Sequence, residues 1–184
     1  FLEHPWLGDT EIPVILGVGR LTEQKDFATL IRAFAKVRKK KVCRLLILGE
    51  GRLRMQLESL VRSLSLDDEI QLPGFVSNPF PYLAGSSLFV LSSRWEGSPN
   101  ALTEAMALGV PVVSTDCRSG PREILAGGTF GPLVPVGDSE ALASAMLTTL
   151  ENPPPADRLI EAVKPYSVEN SVEGYLRAIM TDIR

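Results

Sequence analysis

The sequence predicts an α/β fold built on a doubly wound, mostly parallel sheet of six strands. Three observations carry that prediction. Short apolar runs without polar alternation recur along the chain, as strands covered on both faces require. Helix-period segments separate those runs, so successive strands become parallel through right-handed crossovers. Of 184 residues, 45% are hydrophobic and 22% charged, the balance of a globular chain and not of a disordered one or a coiled coil.

Pro13 to Gly19 (PVILGVG) is the first strand and ends in glycine. From Asp26 to Lys40 the period turns helical. Phe27, Leu30, Ile31, Phe34 and Val37 share a face there, and cations crowd the end that the helix dipole favours. Cys43 to Leu48 is the second strand and stops at Gly49-Glu50-Gly51; a helix follows on the stripe Leu53, Leu57, Leu60, Val61 and Leu64. Ile70 to Leu72 is a brief third strand closed by Pro73-Gly74, and Leu88 to Leu91 is the fourth. The next helix runs from Ser98 to Leu108, with Ser98 as N-cap, Pro99 in the first helical position and Gly109 just past the end. Val110 to Thr115 is strand five, Pro121 to Ala126 a short helix, and Gly131 to Pro135 holds strand six. Asp138 caps a helix carrying Leu142, Ala145, Met146, Thr149 and Leu150. Beyond Pro153-Pro154-Pro155 a tail ends in a helix bearing Val172, Tyr175, Leu176 and Ile179. Residues 1–184 thus read as one Rossmann-like domain with a helical tail from about 153.

Charge and composition narrow the function classes. Nineteen Lys and Arg against 22 Asp and Glu give a formal charge of -3, which does not suit a nucleic-acid partner. The one basic run, Arg38 to Lys41, reads as a solvated helix end, with a lipid-facing patch as the alternative. No apolar stretch reaches the roughly 18 residues that span a bilayer, and a cytoplasmic location is expected. Two cysteines make no disulfide framework. Cys43 reads as a small buried apolar residue, Cys117 as a loop thiol without an activating partner, and Trp6 and Trp95 as packing.

In such a sheet, ligands bind beyond the carboxyl ends of the strands. After strand one, Gly17-Val18-Gly19 allows a tight turn, and Arg20 and Lys25 stand beside a helix start, a corner suited to a diphosphate. The alternative is a plain turn with two solvated cations. A dinucleotide fingerprint fails here: Thr22 occupies the third glycine position, and the acidic residue about 20 positions on is missing. No Walker A sequence is present. After strand four come Glu96 and Glu104, with seven residues between them across a loop-to-helix junction. Asn100 and Glu104 share a helical face, and free amides near Asn100 and Ala101 suit a phosphate. Carboxylates on either side of a phosphate site fit a ligand with hydroxyl-rich groups at both ends, such as a nucleotide sugar. The bland alternative makes both glutamates ordinary surface charges.

The segments GVGRLTEQKDFATLIRAF, ILGEG, LPGFV, EGSPNALTEAMALGVPVVST and Ser119 to Ile124 occur in order, and with them nearly the whole chain resembles the C-terminal, donor-binding domain of retaining GT-B glycosyltransferases of the family-4, or group 1, type. The resemblance implies that Arg20 and Lys25, on the loop opened by Gly19, neutralise a donor diphosphate, with no metal expected. It implies that Glu104 accepts ribose hydroxyls and Glu96 a hydroxyl of the transferred sugar. Main-chain amides of Gly97, Ser98, Asn100, Ala101 and Leu102 would line phosphate and sugar, Phe75 and Val76 would read the base, and Gly49 and Gly51 would lie beside base and ribose. The implied donor is a UDP-sugar, and the implied acceptor a sugar or lipid-linked molecule held by an N-terminal domain missing from this chain. His4, at the edge, is a poor catalytic base. Ser98, Thr103 and Asp26 depart from the family pattern, where apolar residues and glycine are frequent, and bear on which sugar is carried. A stand-alone nucleotide-sugar binding module and a sugar-nucleotide epimerase are the alternatives.

Overall fold

The computed structural model describes residues 4–8 and 11–181. Its six strands are β1 (Val14–Val18), β2 (Arg44–Leu48), β3 (Ile70–Gly74), β4 (Leu88–Leu91), β5 (Val112–Thr115) and β6 (Leu133–Val134). All neighbours pair parallel, in the order β3-β2-β1-β4-β5-β6. The helices are α1 (Phe27–Arg38), α2 (Arg54–Ser63), α3 (Phe80–Ala84), α4 (Asn100–Ala107), α5 (Pro121–Ile124), α6 (Ser139–Glu151), α7 (Ala156–Val163) and α8 (Val168–Thr181).

The period-2 geometry of the strands divides the core into two layers. Ile15, Leu45, Ile47, Val90 and Val113 face one side and pack with α1, α2 and α6 through Phe34, Leu57, Leu142 and Met146. Leu16, Leu46, Leu48, Phe89, Leu91 and Val112 face the other side and pack with α3, α4 and α7 through Leu83, Leu102, Met106 and Leu159. Strands covered on both faces must be apolar throughout, and β4 and β5 are buried at every position. Strand β3 is the edge, and its Gln71 and Pro73 are exposed.

Local chemistry sets the helix ends. Asp138 caps α6, accepting from the Glu140 and Ala141 amides at 2.9 Å each. Gly109 follows α4 with φ +72°, the left-handed turn that ends many helices. The basic end of α1 is only partly solvated: Arg38 Nη2 lies 3.1 Å from Glu69 Oε1, while Lys39 and Lys40 are exposed. After the proline run, α7 buries Leu159 and Val163 in the second layer. Helix α8 exposes Val168, Val172, Leu176 and Ile179. The Tyr175 side chain, expected with Leu176 to meet another domain, lies outside the described residues, as do Phe1, Leu2 and Glu3. Among the described residues no helix is long and apolar enough to cross a membrane.

Leu159 tests whether α7 is part of the core. Leu159→Ala is expected to destabilise the fold by about 2–5 kcal/mol, whereas Val168→Ala on α8 stays within about 0.5 kcal/mol. Urea denaturation measures both, and equal effects would place α7 outside the core.

Candidate active site

The strand order reverses direction between β1 and β4, so the loops that leave these two strands face each other over the sheet. The carboxyl ends of β1, β2 and β3 are knitted by main-chain bonds. Gly19 N donates to Leu48 O (2.9 Å), Leu21 N to Glu50 O (2.9 Å) and Gly49 N to Gly74 O (2.7 Å). Gly49 is required by that closeness, since a Cβ there would sit 1.9 Å from Gly19 O. Gly51 serves the same packing, facing the Leu21 backbone, and it does not line the adjacent hollow.

That hollow, about 370 Å³, has an apolar floor of Val18, Leu48, Val76 and Pro79, with Gly19 and Gly49 on its wall. Phe75, 77% exposed, stands on its rim. Glu50 also lines it, and two hydrogen bonds from Arg54 hold the Glu50 carboxyl below the usual carboxylate range. Arg20 completes the wall. It is exposed, and its side chain makes no hydrogen bond or ion pair among the described residues.

Between the two facing loops lies a clamp. Arg94 N donates to Gln24 O (2.7 Å), Ser92 Oγ to Lys25 O (2.7 Å) and Gln24 Nε2 to Trp95 O (3.1 Å). Arg94 Nε lies 3.1 Å from Asp26 Oδ2. Asp26 is buried in the left-handed conformation (φ 45°, ψ 46°), which explains why glycine is common there, and it caps α1 through the Thr29 amide and hydroxyl. At the centre, Lys25 Nζ meets Glu96 Oε1 at 2.6 Å, and Ser93 Oγ donates to the same oxygen at 2.5 Å. Glu96 is 9% exposed, and its second oxygen, Oε2, has no hydrogen-bond partner among the described residues.

A second hollow, about 460 Å³, begins where the loop leaving β4 meets α4. Gly97, Ser98, Pro99 and Asn100 line one side, and Ser119, Gly120, Glu123 and Tyr166 line another. The cap differs by one residue from the sequence expectation. Pro99, with ψ 73°, is the non-helical flanking residue, and Ser98 Oγ bonds Asn100 Oδ1 (3.2 Å) in place of a helix amide. The expected amide row is therefore only partly open. Asn100 N donates to Ser98 O and Leu102 N to Pro99 O, both at 2.9 Å, and the Leu102 side chain is buried in the core. Among the described residues, the Gly97, Ser98 and Ala101 amides donate to no main-chain oxygen. Glu104 is half-buried one turn beyond Asn100 and lines neither hollow, and its carboxylate has no hydrogen-bond or ionic partner among the described residues.

Other side chains fall as follows. His4 is buried, with Nδ1 accepting from Trp6 N (3.2 Å) and Nε2 against Gln71 Oε1 (2.9 Å). Burial pushes the Cys43 thiol up to about 11 and raises that of Cys117. Trp6 packs against His4 and beneath Arg44. Trp95 does not pack as expected: it is 50% exposed, because its main chain follows the clamp while its neighbour Glu96 turns inward. The clamp residues Asp26, Ser92, Ser93 and Arg94 gave no clear sequence signal, apart from the tolerance of Asp for left-handed backbone.

Comparison with known proteins decides the family. Residues 12–152 match the model described as glycosyl transferases group 1. The chain belongs to the group 1 glycosyltransferases. A group 1 relative from Campylobacter jejuni, an N-acetylgalactosaminyltransferase acting on N-acetylgalactosamine-N,N'-diacetylbacillosaminyl-diphospho-undecaprenol, is 40% identical over 82% of this chain and 40% of its own length. The lipopolysaccharide core biosynthesis glycosyltransferase LpsE of Rhizobium meliloti is 32% identical over 92% of this chain and 50% of its own. Among solved structures, the lipopolysaccharide outer core galactosyltransferase WaaB superposes with a TM-score of 0.84 at 25% identity, covering 94% of this chain and 50% of that one. Anabaena HepE in complex with UDP superposes with a TM-score of 0.80 at 21% identity, covering 96% and 50%. The fold is thus the Rossmann-like half of a GT-B glycosyltransferase, and the chain spans half or less of the length of these relatives.

The left-handed residue of the clamp gives a direct test. Asp26→Gly loses the cap but relieves the Cβ held in left-handed backbone, so it is expected to cost only about a few tenths of a kcal/mol. Asp26→Ala loses the cap and keeps a Cβ in left-handed backbone, so it is expected to cost about 1–2 kcal/mol more than the glycine variant. Thermal or urea unfolding ranks the two, and an alanine variant as stable as the glycine variant would contradict the assigned backbone.

Proposed function

We propose that this chain is the donor-binding part of a configuration-retaining glycosyltransferase and takes a nucleoside-diphosphate sugar, of which a UDP-sugar is the favoured form. The observation that carries the reading is the juxtaposition of Arg20, whose side chain has no partner among the described residues, on the wall of an apolar hollow, and the Lys25–Glu96 pair in the loops ahead of α1 and α4. The hollow of Gly49, Phe75 and Val76 suits the flat, largely apolar base. The diphosphate then falls to Arg20, Lys25 and the unengaged amides of Gly97, Ser98 and Ala101. Glu104 takes ribose hydroxyls, a role consistent with its carboxylate having no other partner among the described residues. HepE, a GT-B neighbour, was solved with UDP and also with UDP and glucose.

Glu96 acts at the other end of the donor. Its free Oε2 accepts a hydroxyl of the transferred sugar, while Ser93 holds the carboxylate from behind once the diphosphate draws Lys25 away. In transfer, the bond from the anomeric carbon to the diphosphate oxygen breaks and a bond from the acceptor hydroxyl oxygen forms. The acceptor proton is released, and charge builds on the diphosphate. Two fixed cations stabilise that charge where it develops, and the reading needs no metal for it. The acceptor, a saccharide or lipid-linked saccharide, is held mainly by the part of the enzyme beyond this chain, and closure over the cleft excludes water.

Calorimetry on this chain tests the roles. Replacing Arg20 and Lys25 together by alanine is expected to weaken UDP by roughly a hundredfold while leaving uridine within about twofold. Glu104→Ala weakens UDP about tenfold. Glu96→Ala removes the competitor for Lys25, so UDP binds as well or better, and only the added affinity of a UDP-sugar is lost. Equal losses for UDP and UDP-sugar in both glutamate variants would contradict the assignment. Affinity for UDP is expected to be the same in EDTA as in magnesium, and a collapse in EDTA would overturn the metal-free reading.

A further inference from the structure

Arg20 has a second face. It also lines a hollow of about 340 Å³ with Thr22, Glu23, Gln24, Arg52 and Trp95, separate from the one assigned to the base. Trp95 is the one apolar side chain in that wall, and half of it is open to solvent. It is also held in place. Its carbonyl accepts from Gln24 Nε2 at 3.1 Å, its main chain bridges to Arg118, and the Glu96 amide beside it donates to Arg118 O at 3.3 Å. An exposed indole on a pinned main chain is a platform whose surface is available and whose ordering cost is already met by the fold.

The surroundings say what kind of molecule would lie on it. Arg52 holds Glu23 in an exposed ion pair, so the hollow offers guanidinium donors and carboxylate acceptors side by side. Gln24 stands beside them. Thr22 Oγ1 is buried in the same stretch and has no hydrogen-bond partner among the described residues. An apolar ligand would strip water from these groups and return no hydrogen bonds. A pyranose matches both halves: its C–H face covers the indole, and its rim of hydroxyls meets donors and acceptors alike.

We propose that Trp95 and the polar hollow beside it bind a pyranose ring of the saccharide acceptor. The proposal rests on the donor reading, because Arg20 is the wall common to the two hollows. A sugar stacked on Trp95 has its hydroxyls next to the diphosphate end of the donor, where the acceptor oxygen must attack. Trp95 thereby supplies an acceptor contact from the donor-binding half.

The test is saturation-transfer NMR on this chain with UDP present, using methyl α-D-glucopyranoside, methyl N-acetyl-α-D-galactosaminide and lactose as probes, with UDP affinity measured by calorimetry on the same samples. At least one probe is expected to bind saturably, with strongest transfer to the protons of one ring face. Its affinity falls about tenfold in Trp95→Ala and is largely retained in Trp95→Tyr. Saccharide binding that is equal in wild type and Trp95→Ala would overturn the proposal, as would the absence of saturable binding by all three probes. Failure of UDP itself to bind would sink the donor reading instead, so the two failures are told apart. If the indole instead covers a protein surface, the saccharides leave it untouched, which counts against the proposal in the same way.

Discussion

The contact between Lys25 and Glu96 joins a residue of the loop leaving β1 to one of the loop leaving β4, across the line where the strand order reverses. Both side chains are largely withdrawn from water, with 17% and 5% of their surfaces exposed. Such a pair gains little net stability over an apolar contact, yet removing one partner strands the other charge, typically at about 3–5 kcal/mol. The fold therefore has reason to keep both or neither. Around them, main-chain and side-chain bonds from Gln24, Asp26, Ser92 and Arg94 fix the two loops, so the charges are set by the scaffold and do not depend on each other alone.

Everything assigned to the site follows from that placement. Glu96 uses one oxygen for Lys25 and Ser93, which leaves the other for a ligand. Lys25 packs against Gly19 on one side, so the pair spans from the edge of the apolar hollow to the residue before the α4 hollow. In the proposed reading, an incoming diphosphate, carrying more charge than one carboxylate, would compete for the ammonium and release Glu96 toward the sugar. Recognition of the two ends of the donor would then be coupled through one proton-rich nitrogen.

Much of the fold was legible in the sequence because it depends on local pattern. The apolar runs at Val14, Leu45, Leu88 and Val112 mark strands buried on both faces, and Asp138 announced its own helix. Helix α3 was not legible: five residues between Pro79 and Gly85 hold too little period to register. Helix α7 was masked by the proline run that precedes it, although Leu159 is fully buried. The family motifs named Arg20, Lys25, Glu96 and Glu104, but not the pairing of Lys25 with Glu96. That contact joins residues 71 positions apart, and only the strand order brings them together. Ser98 misled as a cap because Pro99 adopts a non-helical ψ, which delays the helix by one residue.

A crystal structure of this chain with UDP tests the central claim most directly. The account predicts Lys25 Nζ within hydrogen-bond distance of a phosphate oxygen, Arg20 on the same diphosphate, and the uracil over Gly49 beside Val76. A diphosphate bound elsewhere, with Lys25 still closed on Glu96 and Arg20 in solvent, would contradict it.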